Sequence, residues 1–400
     1  MLRAEEGLAA ELTALSASGR SRHRRTVTAR RAGGVRVVVD GHECTAFCSN
    51  DYLGLADHPK VVEAFRAGAR EWGVGSGASH LVSGHDLEHH ALEEELAEFV
   101  GRPRALLFST GYMANLAVAS VLLGRGDLVL EDRLNHASLL DAGLASGARF
   151  SRYAHCSIEA LRARLDRRAT GQACMVMTDG VFSMDGDVAP LRDLALTCRD
   201  AGAELLVDDA HGFGVLGPNG AGSVAEAGLG HADVPVLMCT LGKAAGTFGA
   251  FVAGSPTLIE SLLQRARTYI YTTALPPAVA AATRASLRVM RDEAWRRSAV
   301  LDRAKQFRDG ATALGFELMP SRTPIQPLVL GPEATALEAS AGLLELGFWV
   351  PAIRPPTVPA GTSRLRFTFS AAHTPEQVEQ LLDALAELRL RGLFDAAVPG

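Results

Sequence analysis

The chain of 400 residues is long enough for two or three domains and a substantial buried core, which excludes a small stapled or peptide-like protein. With 48% apolar and 21% charged residues it has the balance of a folded globular chain, not of a disordered one. The formal net charge is −5, and the one basic-rich stretch, Arg20 to Arg31, is balanced by acids elsewhere, so nucleic acid is not an expected partner.

The opening residues carry acids where a secretory leader needs a basic start and then an unbroken apolar run. No run approaches the roughly 18 apolar residues of a membrane span. Six cysteines (Cys44, Cys48, Cys156, Cys174, Cys198, Cys239) without a C-x-x-C pair indicate neither a disulfide framework nor a zinc knuckle. The expectation is a cytoplasmic protein with no membrane partner and no metal. Of the 40 Lys and Arg residues only Lys60, Lys243 and Lys305 are lysines, so chemistry that needs a primary amine has three candidates.

In chain order, residues 1–20 read as an amphipathic helix with Leu8, Leu12 and Leu15 on one stripe. VRVVVDGHECTAFCSNDYLG then reads as a strand pair turning at Asp40-Gly41, a dipeptide that supplies the positive φ of a tight hairpin turn. From about residue 85 to 255, helical patterns alternate with near-continuous apolar runs: ALLFST, DLVLED, ARFSRYA, ACMVMTD, ELLVDDA, PVLMCTL and GAFVAG. Such runs predict a mainly parallel sheet covered on both faces, hence an α/β fold. After Pro276-Pro277 comes a long helical pattern, followed by a weaker mix of strands and helices that reads as a smaller α+β domain. The expected divisions are an N-terminal helix and hairpin segment (1–48), a large α/β domain (49–284) and a small C-terminal α+β domain (285–400).

Two motif matches point to other chemistries and fail on context. GFGVLG (Gly212, Gly214, Gly217) fits a dinucleotide fingerprint, but the third glycine should open a helix, and here the chain continues as Pro218-Asn219-Gly220-Ala221-Gly222. His85, Glu88 and His89 fit the pattern of inverted zinc peptidases, yet they begin a strongly charged helical segment and read as an exposed face.

A stronger signal lies at successive strand ends, where ligands of open α/β sheets bind. VDDAHGFG ends one apolar run with Asp208 and His211, and VLMCTLGK ends the next with Thr240 and Lys243. A lysine among small residues after a buried strand suits a Schiff base, and a fixed carboxylate suits a pyridinium nitrogen. Upstream, FSTGYMAN places Gly111 and Tyr112 where a helix start offers N–H groups to a phosphate, and EDRLNHASLLDA places His136 after another strand. Lys60 follows His58-Pro59 at a helix start and Lys305 lies in a charged helix, so both have a solvated-face explanation. Lys243 is the one credible Schiff-base residue.

Taken in order, SNDYLGL, GSGASHLVSG, LFSTGYMANLA, DRLNHASLLDA, TDGVFSMDGDVAPL, VDDAHGFGVLG, TLGK, YIYTTALPPA and AIRPPTVPAGTSRLRFTFSAAHT resemble the α-oxoamine synthase family of pyridoxal-phosphate (PLP) enzymes, from about residue 20 to 390. The resemblance implies the PLP-dependent transferase fold type I. It implies that Lys243 carries the cofactor, Asp208 pairs with the pyridine nitrogen, His211 and Ser183 bond the ring hydroxyl, and His136 stacks on the ring. Gly111, Tyr112 and Thr240 would hold the phosphate. Asn50, Arg354, Thr357 and Arg366 would line the substrate side, with Arg366 as the fork for an amino-acid carboxylate. Arg22 would stand at the acyl-CoA mouth. AIRPPTVP is similar to the branch that condenses L-alanine with pimeloyl-CoA, or its acyl-carrier-protein form, in biotin biosynthesis; the alternative is another pair, such as glycine with acetyl-CoA. The family also implies a homodimer in which Thr272 or Thr273 reaches the partner's phosphate. Two departures fall in this frame: Ala244-Ala245-Gly246 after the lysine, where many relatives have glycine first, and His80 and His85 in the glycine-rich loop.

Overall fold

The computed structural model describes residues 5–17 and 20–394. By Cα packing the chain divides into two compact units, one made of the residues up to 49, 184–186 and those from 301 onward, the other of residues 50–183 and 187–300. The helix expected over residues 1–20 is α1 (Glu5–Ala17); residues 1–4 and 18–19 of that stretch lie outside the described residues. Its leucine stripe is not core: Leu8, Leu12 and Leu15 are 48%, 66% and 43% exposed. Periodicity fixes which residues share a face but not what covers it. Strands β1 (Val27–Arg31), β2 (Arg36–Val39) and β3 (His42–Ala46) pair antiparallel. Between β2 and β3, Asp40 (φ 49°) and Gly41 (φ 85°) adopt the left-handed conformations that the two-residue turn requires.

In the larger unit β4 (Arg104–Phe108), β5 (Leu128–Asp132), β6 (Arg149–Tyr153), β7 (Cys174–Asp179), β8 (Glu204–Asp208), β9 (Val236–Thr240) and β10 (Ala250–Gly254) form a seven-stranded sheet in the order β4-β10-β9-β8-β7-β5-β6. Neighbours run parallel except at β10, which is antiparallel to both β4 and β9. Successive residues of the same strands, such as Met175 and Val176 or Leu206 and Val207, are both buried, so both faces are covered, as the unbroken apolar runs predict. Helices α2 (Pro59–Trp72), α3 (Leu87–Phe99), α4 (Gly111–Leu122) and α5 (Ala137–Ala145) belong to this unit. Ala114, Ala117, Val118, Leu139 and Ala142 of α4 and α5 pack with Leu106, Met177 and Met238 of the sheet. The register sets Asp179 beside Asp208.

The long helical pattern after Pro276-Pro277 is two helices, Pro277–Asp292 and Trp295–Ala313. No glycine or proline marks the break. It is held by Arg296, which donates from Nε to Glu293 Oε2 (2.8 Å) and from Nη1 to the Leu53 carbonyl (2.9 Å).

The C-terminal part adds β11 (Ile325–Gly331), a helix at Glu333–Glu345, β12 (Phe348–Trp349), β13 (Ala352–Ile353), β14 (Ser363–Thr368) and a helix at Pro375–Leu390. β11, β14 and β13 form an antiparallel sheet. β12 pairs in parallel with β3, so the N-terminal hairpin shares a sheet and a unit with the C-terminal residues instead of standing apart. Phe307 packs on Phe367 with ring centroids 4.6 Å apart, and Arg364 forms a buried ion pair with Asp185 in the same unit. Among the described residues no helix is long and apolar enough to cross a membrane.

Candidate active site

The site in the larger unit is built from strand ends. β8 stops at Asp208, β7 at Asp179, and β9 delivers Thr240 and, three residues on, Lys243. Gly111 opens α4, whose N-cap Thr110 accepts from the Met113 N–H (3.2 Å); His136 is the N-cap of α5. All eight residues expected to face the cofactor, Gly111, Tyr112, His136, Ser183, Asp208, His211, Thr240 and Lys243, line one cavity of about 190 Å³.

Hydrogen bonds fix the polar side chains of this cavity. Asp208, 4% exposed, accepts from the Ala210 N–H (3.0 Å) at Oδ1 and from Asn115 Nδ2 (2.8 Å) at Oδ2; the same Nδ2 donates to Ser138 Oγ at 2.9 Å. Asp179 accepts from the His136 N–H at 2.6 Å, and burial together with the adjacent Asp208 charge raises its pKa well above the usual carboxylate range. His136 Nδ1 lies 2.7 Å from Ser138 Oγ; burial lowers the pKa of this imidazole, while Asp208 pulls the other way. Lys243 Nζ is 2.8 Å from His211 Nε2, and His211 Nδ1 is 2.7 Å from the hydroxyl of Tyr52, which also donates to Asn50 Oδ1 at 3.3 Å.

These residues suit pyridoxal phosphate. An amine, a carboxylate held by two donors, an imidazole on a helix N-cap and the leading N–H groups of a 12-residue helix border a single cavity, matching a carbonyl, a ring nitrogen, a flat ring and a phosphate in turn. The Tyr112 side chain is 42% exposed, and its hydroxyl donates to Asp141. The Thr240 hydroxyl donates to the Gly249 carbonyl (3.0 Å). After the lysine, Ala244 and Ala245 are buried and Gly246 takes φ 66°, where an added Cβ would sit 2.5 Å from the Ala56 nitrogen.

The remaining expected residues are distributed between the units. Asn50 belongs to the larger unit, and Arg22, Arg354, Thr357 and Arg366 to the other. Arg366 is 6% exposed on β14; Arg354 follows β13, which pairs with β14, and its carbonyl accepts from the Thr357 N–H at 3.0 Å. Arg22 is exposed before β1. Thr273 forms an isolated bridge with Ser79, and Thr272 is partly buried beside it. Sequence reasoning missed Tyr52, Asn115, Ser138 and Asp179. Each lies inside a motif quoted for other residues, so its position was visible and its partner was not.

The two alternative motifs do not build their sites. Gly217 (φ 74°) leads into a three-residue turn, Pro218–Gly220, not a helix that could hold a pyrophosphate. Glu88, the base a zinc peptidase would need, accepts from Arg284 Nη1 at 2.8 Å. His89 is bonded at both ring nitrogens, to the Asp86 N–H (3.0 Å) and the Leu275 carbonyl (2.7 Å).

The chain matches the family model of class I and II aminotransferases over residues 42–385. It is 61% identical over 386 residues to an 8-amino-7-oxononanoate synthase of Saccharophagus degradans, with 96% of each chain covered. It is 65% identical over 352 residues to the enzyme of that name from Methylococcus capsulatus, covering 88% of this chain and 91% of that one. Among solved structures, a serine palmitoyltransferase from S. paucimobilis with bound PLP–myriocin aldimine matches with a TM-score of 0.92 at 32% identity, covering 97% and 98% of the two chains.

Proposed function

We propose, because the chain belongs to the class I and II aminotransferase family and within it to the α-oxoamine synthases, that it is a PLP-dependent C-acyltransferase joining L-alanine to pimeloyl-CoA. The bond from the alanine α-carbon to its carboxylate breaks, a bond from that carbon to the acyl carbonyl forms, and CO2 and coenzyme A leave 8-amino-7-oxononanoate, a biotin precursor. The observation that carries this reading is the convergence of Lys243, Asp208, His211 and His136 on one cavity.

Bound pyridoxal phosphate supplies a carbonyl for amines and a protonated ring that draws electrons from the bonds of the alanine α-carbon. Lys243 would hold the cofactor covalently between turnovers, and its amine, when free, would remove the α-proton and later return a proton to the same carbon. His211, 2.8 Å from Nζ, aims that amine, and with Ser183 would bond the ring hydroxyl. Asp208 would keep the ring nitrogen protonated, and Asn115 orients this carboxylate by its 2.8 Å bond. His136 would stack on the ring, while Gly111, Tyr112 and Thr240, which line the same cavity, would hold the phosphate. Arg366 takes the alanine carboxylate, with Asn50, Arg354 and Thr357 lining the substrate side and Arg22 at the acyl-CoA mouth. The enzyme works as a cytoplasmic homodimer, with Thr272 or Thr273 reaching the partner's phosphate, and a pimeloyl-carrier protein can replace the CoA ester.

The test is turnover by purified holoenzyme across a panel of amino acids and acyl thioesters, with product identified by mass. L-Alanine with a pimeloyl thioester is the expected best pair, and Lys243→Ala is expected to lose turnover by about 10³-fold or more while staying folded. Preference for glycine with acetyl-CoA would overturn the substrate assignment.

A further inference from the structure

Apart from the groups used above, the carboxyl ends of β5 and β6 gather four side chains. Asp132 ends β5, His155 and Cys156 follow β6, and Asp187 comes from the turn after β7, a turn bridged at Val181 and Val188. His155 Nε2 lies 2.8 Å from Asp187 Oδ2, and Cys156 Sγ lies 3.6 Å from that nitrogen and 3.8 Å from that oxygen. A tetrahedral zinc ion with bonds of about 2.0–2.3 Å holds its nitrogen, oxygen and sulfur ligands about 3.3–3.6 Å apart. The three atoms therefore already outline one face of such a tetrahedron, and only the nitrogen–oxygen edge has to open.

The surroundings are those of a ligand set. His155 Nδ1 faces Asp132 Oδ1 at 2.9 Å, the carboxylate–imidazole pairing that fixes the tautomer and ring plane of a metal-binding histidine. Asp132 is itself fixed by the N–H groups of Leu134 (2.8 Å) and Cys156 (2.7 Å). The second Asp187 oxygen, Oδ1, is buried with no hydrogen-bond partner among the described residues. The His155 and Asp187 side chains are 26% and 23% exposed, which leaves a route for an ion and a fourth position for water.

We propose that His155, Cys156 and Asp187 form a three-ligand site for a zinc-class divalent ion, with Asp132 as the residue that positions the imidazole. As the nitrogen–metal and sulfur–metal bonds form, the Nε2 proton shared with Asp187 and the thiol proton of Cys156 leave to solvent; no electrons move. The mixed sulfur, nitrogen and oxygen set selects zinc-like ions over magnesium or calcium.

The experiment titrates chelator-treated, reduced holoenzyme with Zn²⁺ by calorimetry and examines the loaded protein by X-ray absorption. The expected result is one ion per chain with one sulfur at about 2.3 Å and lighter ligands at about 2.0–2.2 Å. Cys156→Asn is the diagnostic variant, because asparagine tolerates the φ of 52° found there. It and Asp187→Asn should each weaken binding by about 100-fold or more, and Asp132→Asn by about 10–100-fold, with the cofactor absorbance of Cys156→Asn unchanged as evidence of folding. No uptake, or a shell without sulfur, overturns the proposal. So does binding that survives Cys156→Asn but is lost in His85→Ala, which would assign the ion to the His80–His85 pair, whose Nδ1 atoms are 3.0 Å apart.

Discussion

Replacing Tyr52 by phenylalanine removes one oxygen from a fully buried ring and tests whether the amine of Lys243 is positioned from a distance. The hydroxyl donates to Asn50 Oδ1 (3.3 Å), so it accepts from His211 Nδ1 (2.7 Å), and His211 Nε2 is left to accept from Lys243 Nζ (2.8 Å). In the variant the Nδ1–H of His211, itself 6% exposed, loses the Tyr52 oxygen at 2.7 Å. Removing one partner of a buried hydrogen bond costs about 1–3 kcal/mol. If the ring reorients to recover that energy, Lys243 loses its orienting partner and kcat falls by about 5- to 150-fold, the same energy expressed as a barrier. If the ring stays, the penalty falls on folding and lowers Tm by about 2–4 °C per kcal/mol for a unit of this size. Measurement of kcat against pH, together with thermal unfolding of the holoenzyme, separates the two. A variant with wild-type kcat and pH profile would refute the positioning role, whatever its Tm.

Asn115→Leu removes the donor to Asp208 Oδ2 and Ser138 Oγ, and a hydrogen bond to a charged group is worth about 1.5–3 kcal/mol; PLP affinity, measured by equilibrium dialysis, should weaken about tenfold or more. Glu131 is fully buried, and burial pushes its pKa up to about 7 although Asn135 Nδ2 donates to it at 3.1 Å. The folded state therefore holds this proton more tightly than the unfolded state, and wild-type stability is lost as pH rises from about 4.5 to about 7. Glu131→Gln should match wild type below pH 4.5 and exceed it by up to about 3 kcal/mol above pH 7, read as a urea-midpoint difference that grows across that window. Arg364→Met strands the buried Asp185 carboxylate and should destabilise its unit by about 3–5 kcal/mol; an unchanged urea midpoint would show that the pair is dispensable.

Chemistry placed at strand ends was legible in the sequence because two local signals coincide there: an apolar run that ends abruptly, and a polar or glycine-rich turn. Lys243, Asp208, His211, His136 and Gly111 all meet that description, and the structure lines one cavity with them. Supporting contacts were not legible. Tyr52 and His211 are 159 residues apart in sequence, and Asn115 and Asp208 are 93 apart, so no spacing rule connects them. The helix break at Glu293 escaped for a similar reason: Arg296 and the Leu53 carbonyl hold it, while the local residues are ordinary helix formers. The leucine stripe of α1 shows the converse, a strong local pattern that the chain's own core does not cover.

The cysteines illustrate the same limit with a sharper consequence. Metal sites are recognised in sequence when ligands come in close pairs, such as C-x-x-C, because a single turn then presents both to one ion. Here His155 and Cys156 are adjacent, but Asp187 arrives from the turn beyond β7, next but one to β6 in the sheet, and the orienting Asp132 ends the strand between them. Parallel β topology returns every strand to the same edge, so residues about 30 positions apart become neighbours without any motif linking them. The topology that makes the cofactor cavity at β7, β8 and β9 thus also creates the ligand cluster at β5 and β6. Asp132→Asn and Asp208→Asn should therefore dissociate the two functions, the first lowering zinc affinity while leaving PLP bound, the second abolishing turnover while leaving zinc binding intact. Loss of both properties in either variant would show that the strand ends act as one site.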